Sequence, residues 1–164
     1  MGLGVVGSNP RPGIRSLRGS LRAVAVASPR WIVDAMNVIG TRPDGWWRDR
    51  HAAMVRLVDL LERWSAASGA DITVVFEQPP RPPIRSSVVE VAYAAKPKPN
   101  SADEEIVRLV RAAPDPSAVR VVTSDGVLSQ QVSAAGASVY PAAAFRAEID
   151  PAPDPDVNRR RRSR

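Results

Sequence analysis

The sequence predicts an α/β fold, a three-layer α/β/α sandwich built on a mainly parallel central sheet. Three observations carry that prediction. Short runs rich in Val and Ile alternate with segments of helical periodicity, the runs read as buried strands, and Pro or Gly punctuates the junctions.

The first element is a buried strand at Trp31–Val33, where WIVDAMNVIG runs from three large apolar residues into a loop. Over Arg48–Ser68, Met54, Leu57, Val58, Leu61 and Trp64 recur at three- and four-residue spacing, which predicts a helix with one core face, closed by Gly69. Ile72–Phe76 is a second buried strand. A break containing Pro79, Pro80, Pro82 and Pro83 separates it from SVVEVAYA, a strand by its β-branched content. Ser101 with Glu104 three residues on is a capping-box signature. It opens a helix whose apolar face is Ile106, Leu109 and Val110, and which stops before Pro114. Val119–Thr123 is a short strand, Gly126–Ala135 a helix closed by Gly136, and Ala137–Tyr140 a last strand. The expected order is β-α-β-β-α-β-α-β, and no element is predicted beyond Tyr140.

The chain has 164 residues, enough for one core. It contains no cysteine and one histidine, His51, which excludes disulfides, thiolate zinc sites, a Cys nucleophile and a His-rich metal centre. Any metal must therefore sit on carboxylates. No window approaches the roughly 20 apolar residues that span a bilayer, so no membrane association is expected and a cytoplasmic location is. The net charge of +6 is unevenly placed: residues 1–30 hold five Arg and no acid, residues 151–164 hold five Arg against two Asp, and residues 31–150 hold 13 basic against 15 acidic residues. The expected organisation is a disordered Arg-rich extension over 1–30, a folded domain over 31–150 and a disordered basic tail over 151–164.

Ligands of an open parallel sheet bind at the carboxyl edge of the strands. Asp34 closes the first strand, Glu77 the second and Asp125 the strand VRVVTS, while Asp103 lies in the first turn of the helix opened by Ser101. These four acids are expected to converge on one end of the sheet. Crowded carboxylates raise one another's pKa unless they share a cation, and a hard divalent ion such as Mg2+ or Mn2+ takes oxygen ligands. Each acid also has a local reading: Asp34 can bond the amides of the following turn, Asp125 can cap the helix at 126–135, and Asp103 or Glu104 can serve the helix dipole. An acid directly after a Trp-Ile-Val strand, where an unpaired carboxylate is costly, favours the shared-ion reading. A haloacid dehalogenase-type phosphatase is excluded, because it wants a second Asp two residues after Asp34 and Met36 stands there.

VDAMNVIG (33–40), VVFE (74–77), VEVAYAAKPKPNSADEEI (89–106) and VVTSD (121–125), in this order and with these gaps, resemble the NYN domain, the branch of the PIN-like nuclease superfamily that includes YacP-like proteins. The resemblance covers about residues 31–148. It implies a PIN-like fold and metal-dependent cleavage of RNA by hydrolysis. Asp34, Asn37, Asp103 and Asp125 fall on the family's catalytic pattern. Asp34, Asp103 and Asp125 are its implied metal ligands, with Glu77 and Glu104 as additional candidates, and Asn37 would orient Asp34 or a phosphate oxygen. Two positions depart from the pattern: Ala35 replaces the usual Gly, so the backbone there must avoid a positive φ, and Glu77 replaces the usual Asp.

An acidic site that holds RNA needs positive charge around it. Arg42, Arg48, Lys96, Lys98 and the Arg159–Arg162 run are the candidates, each with a plain surface-charge alternative. Trp46 and Trp47 either stack an RNA base or plug the edge of the core. Thr123 and Ser124 are read as bonding the acids or helix amides, and Ser124 is also placed in the RNA-binding set. His51 is read as an ordinary residue near the start of the long helix. The expected partner is messenger, ribosomal or transfer RNA, with the ribosome as a further candidate. The alternative function is a non-catalytic RNA- or ribosome-binding module of the same fold.

Overall fold

The computed structural model describes residues 28–152, so the expectations for both tails lie outside the described residues. Five strands, β1 (Arg30–Asp34), β2 (Asp71–Phe76), β3 (Glu90–Tyr93), β4 (Val119–Val122) and β5 (Ser138–Tyr140), form one sheet in the order β3-β2-β1-β4-β5. Every neighbouring pair is parallel. The helices are α1 (Ala35–Ile39), α2 (Arg50–Ser68), α3 (Ser101–Ala112), α4 (Gly126–Ala134) and α5 (Ala142–Ile149).

Residue alternation along β1 divides the core. Trp31 and Val33 face a cluster with Ile72, Val74 and Phe76, closed by Val38 of α1, Leu57 and Leu61 of α2, and Phe145 and Ile149 of α5. Ile32 faces the opposite cluster, with Val75 and Val121, closed by Ile106 and Val110 of α3 and Leu128 and Val132 of α4. A sheet buried on both faces needs strands that are apolar at consecutive positions, as WIV and ITVVF are. The result is the predicted three-layer sandwich.

Local chemistry sets the ends of α2. It starts at Arg50 rather than Arg48, because the Asp49 side chain accepts the Ala52 N–H at 2.9 Å and Trp46–Arg48 winds as a separate 3-10 turn. It ends where Gly69, at φ 71°, sends its N–H back to the Ser65 carbonyl at 2.8 Å.

Three expectations are corrected. The predicted loop after β1 contains α1, whose first residue is Ala35; Ala35 is helical, so the substitution of Gly by Ala there carries no strain. The chain continues past β5 into α5, whose Ala142, Phe145 and Ile149 are buried at helical spacing behind Pro141. The capping box does not form. Asn100, at φ 63°, precedes α3, and the buried Ser101 hydroxyl donates to the Glu77 carbonyl at 2.9 Å, while Glu104 pairs with Lys98 at 2.9 Å. A tertiary bond has displaced the local one, and it ties the start of α3 to the end of β2.

Candidate active site

The chain runs from β1 outward to β2 and β3, then returns to place β4 on the other side of β1. Loops leaving β1 and β4 therefore diverge at a topological switch point, the crevice where open parallel sheets bind ligands. Asp34 ends β1 and Thr123-Ser124-Asp125 follows β4, so the two segments meet there.

A relay of hydrogen bonds fixes them. The Asp125 N–H donates to Thr123 Oγ1 at 3.1 Å, and the Thr123 hydroxyl donates to Asp34 Oδ2 at 3.1 Å. Asn37 adds a second link, its Oδ1 accepting the Ser124 N–H at 2.8 Å. Asn37 thus clamps the loop after β4 with its side chain. Asp125 also caps α4, its Oδ1 accepting the Leu128 N–H at 2.8 Å.

The electrostatics are those of acids gathered around a buried one. Asp34 is only 6% exposed. Burial, with Asp103 and Asp125 nearby, pushes its pKa up to about 6 against the Thr123 hydrogen bond, which acts in the opposite sense. Asp103 is raised as well, first by burial and then by Asp125 and Glu77. Asp34 therefore feels Asp103 and Asp125, and Asp103 feels Asp125 and Glu77. Asp103 and Asp125 line an open cleft of about 280 Å³, together with Glu104, Asn100, Gln131 and Val127.

Among the described residues no three acidic or histidine side chains are close enough, as placed, to grip one ion directly. The donor set nevertheless suits Mg2+ or Mn2+: all its donors are carboxylate oxygens, and Mg2+ keeps several waters and needs only one or two carboxylates. Beyond the effect of burial, Asp103 and Asp125 raise Asp34, and Asp125 and Glu77 raise Asp103, a repulsion that such an ion relieves.

The remaining predicted residues are scattered around this cleft. Arg42 is engaged elsewhere, with its guanidinium on Asp150 Oδ2 at 2.8 Å and on the Asp150 carbonyl at 2.6 Å. Lys98 is held by Glu104, whereas Arg48 and Lys96 are exposed and have no carboxylate partner among the described residues. Ser124 Oγ accepts the Ala142 N–H at 3.0 Å, capping α5 where Pro141 offers no side chain to do so. Trp46 packs against the core, whereas Trp47 is 53% exposed. His51 is more than a bystander, since its Nε2–H donates to the Pro82 carbonyl at 2.8 Å and joins α2 to the proline-rich loop. The sequence reading missed Arg50, Gln78 and Arg81, which line a groove beside Glu77; a Pro-rich loop carrying an arginine was the available signal.

The dual position of Asp125 gives a testable separation of roles. Asp125→Ala is expected to lower stability by about 1 kcal/mol through loss of the cap, and Asp125→Asn by a few tenths at most, because Asn caps as well as Asp. Urea titration of the two variants checks this, and equal losses would remove the cap from the account.

A parallel α/β sandwich with a buried Asp at its switch point and further carboxylates beside it belongs to the class of α/β proteins with an acidic cleft at the carboxyl edge of the sheet. The model of the YacP-like NYN domain matches residues 31–162, and the chain belongs to that family. Among solved structures it is similar to Rae1 (YacP) from Bacillus subtilis, with 23% identity and a TM-score of 0.60 over 82% of this chain and 80% of that one. A mutant of the same protein matches with 23% identity and a TM-score of 0.60 over 80% and 78% of the two chains. At this identity the likeness concerns the fold. No curated protein matches the chain. No helix among the described residues is long and apolar enough to cross a membrane.

Proposed function

We propose that this protein is a metal-dependent ribonuclease that hydrolyses RNA phosphodiester bonds at the Asp34, Asp103 and Asp125 cleft. The observation that carries the reading is Asp34 itself. A carboxylate buried at the sheet's switch point, held by Thr123 and raised to about 6 by burial and by two neighbouring acids, costs the fold stability and has no structural partner of opposite charge among its perturbers. Strained electrostatics of this kind are kept where a charged ligand offsets them. Membership of the NYN family supports the nuclease assignment.

Asp34, Asp103 and Asp125 would hold Mg2+ or Mn2+ in part through its bound waters, with Glu104 on the same cleft and Glu77 beside it. Such an ion, when bound, would supply positive charge to the phosphoryl oxygens and acidify a water for in-line attack. The chain's own contribution is orientation. The Thr123 hydroxyl holds the Asp34 carboxylate before substrate arrives, and the Asn37 to Ser124 bond keeps the β4 loop, and with it Asp125, in register. No side-chain nucleophile is required; Ser124 is committed to the Ala142 amide, and His51 to the Pro82 carbonyl.

The test is cleavage of a mixed pool of structured RNAs by the full chain and by Asp125→Asn, in Mn2+, Mg2+ or EDTA. Cleavage is expected to require the metal and to fall at least about 100-fold in the variant, a loss of several kcal/mol of transition-state stabilisation. Because Asn preserves the α4 cap, that loss reports on chemistry and not on folding. The wide placement of the acids is the one observation favouring the non-catalytic RNA- or ribosome-binding module. Equal RNA binding with no cutting by either protein in any metal would establish that second reading.

A further inference from the structure

The cations around the acidic cleft are mostly spent on carboxylates. Lys98 pairs with Glu104, Arg108 meets Glu105 at 2.9 and 2.6 Å, and Arg42 is bound to Asp150. Arg50 and Arg81, like Arg48 and Lys96, are not so spent, and Arg50 and Arg81 share one groove. Both are exposed, and neither has a carboxylate partner among the described residues. They line one groove of about 410 Å³ between the first turn of α2 and the proline-rich loop that follows β2. A smaller hollow of about 100 Å³ continues it, sharing Arg50, Met54 and Gln78 and ending at Glu77. The Glu77 carbonyl in turn accepts the Ser101 hydroxyl at 2.9 Å, in the same first turn of α3 that carries Asp103. The groove therefore leads from two free arginines to the rim of the acid cleft.

Its walls are set in advance. The His51 bond to the Pro82 carbonyl joins helix to loop, and the prolines at 79, 80, 82 and 83 restrict the loop backbone. A wall that is already ordered loses little freedom when a ligand enters. At the α2 end the Arg50 guanidinium lies 5.6 Å from the Trp46 ring centroid, and Trp47 stands edge-on to Trp46 at 6.0 Å with its own face half exposed. Unpaired cations beside an exposed indole suit a polyanion that also carries free aromatic faces.

We infer that this groove is the path of single-stranded RNA to the cleft: its phosphates lie on Arg50 and Arg81, and an unpaired base stacks on Trp47. The inference rests on the ribonuclease reading for its substrate class, yet it concerns binding and is measured without catalysis. Duplex RNA presents no free base face to Trp47 and gains only the phosphate contacts.

The experiment uses the full chain carrying Asp125→Asn, so that the RNA survives, and follows the anisotropy of a labelled 12-nucleotide single strand across a salt series. Arg50→Ala with Arg81→Ala is expected to weaken binding about tenfold or more near 0.1 M salt and to reduce the slope of log K against log salt by about 1.4, at about 0.7 per phosphate contact on a single strand. Trp47→Ala is expected to lose about tenfold with the slope unchanged, since stacking carries no charge. Arg63→Ala, which removes the same charge from the far end of α2, is the control and should leave both quantities in place. A double variant that matches Arg63→Ala overturns the inference, as does binding of a duplex as tight as that of the single strand, or no RNA binding at all. If the two arginines govern binding but the parent chain cuts no RNA, the groove stands and the ribonuclease reading falls. If RNA is cut and the arginines do nothing, the reverse holds.

Discussion

Asp34→Asn is expected to make the protein more stable at pH 7.5 by about 3 kcal/mol while abolishing RNA cleavage, with a loss of at least about 1,000-fold. The stability figure follows from the raised pKa. Asp34 moves from 3.8 in the unfolded chain to about 6 in the fold, and each pKa unit is worth about 1.4 kcal/mol. An acid whose pKa is raised on folding contributes most below its unfolded value, where both states are protonated. That contribution is lost as pH rises through about 6, because the fold must then hold a buried charge. Asn has no charge to lose, and its carbonyl oxygen can still accept from the Thr123 hydroxyl. The two proteins should therefore differ little at pH 4, diverge between about pH 4 and 6, and run parallel above. Denaturant titrations in EDTA at several pH values read the divergence. A difference independent of pH would show that Asp34 is not the titrating group. Added Mn2+ supplies a second check: it should stabilise the parent by binding the ionised carboxylates and do much less for the variant. The site is thus predicted to hold a destabilising charge that its ligand relieves.

Much of this site was legible because the relevant signals were local. WIV followed at once by Asp34 marks a buried strand ending in an acid, and VRVVTSD marks another, so a parallel sheet brings the two acids to one edge without further information. The capping of α4 by Asp125 was legible for the same reason. What escaped were the relations that depend on packing between distant segments. Ser101 reads as a capping residue from its neighbours, but its hydroxyl serves the Glu77 carbonyl across the interior. Arg42 reads as a phosphate ligand because its partner Asp150 stands at the end of a helix the sequence reading did not assign. Arg50 and Arg81 share a groove only because the proline-rich loop folds back against α2. Free and paired arginines are indistinguishable in sequence, and ion pairing decides which of them can serve RNA.

The unassigned helix α5 carries the last of the large effects. Phe145→Ala is expected to destabilise the fold by about 3 to 5 kcal/mol and to lower Tm by more than about 10 °C. Phe145 is fully buried. It stacks on Trp31 at 5.5 Å and 26°, and meets Trp64 edge-on at 5.2 Å and Tyr140 at 6.3 Å. Trp31 is in turn the second residue of the central strand, so the aromatic group locks the last helix onto the strand that ends at Asp34. The cavity left by truncation would be lined by rings that cannot collapse into it, which places the cost towards the upper part of that range. Polar contacts at the same helix should matter less. Arg42→Ala breaks the clasp to Asp150, but both side chains are about one-third exposed and Arg146 still holds Asp150 at 3.1 Å, so about 1 kcal/mol or less is expected. The helix also bears on the cleft, because the Ala142 N–H donates to Ser124, whose own N–H is held by Asn37. Loosening α5 should therefore reduce cleavage even below the unfolding transition, where Arg42→Ala leaves it nearly intact. Urea titration and cleavage rates at 25 °C, measured on both variants, decide the point. A Phe145→Ala protein as stable as Arg42→Ala would mean that α5 is held by its ion pairs and not by the aromatic core.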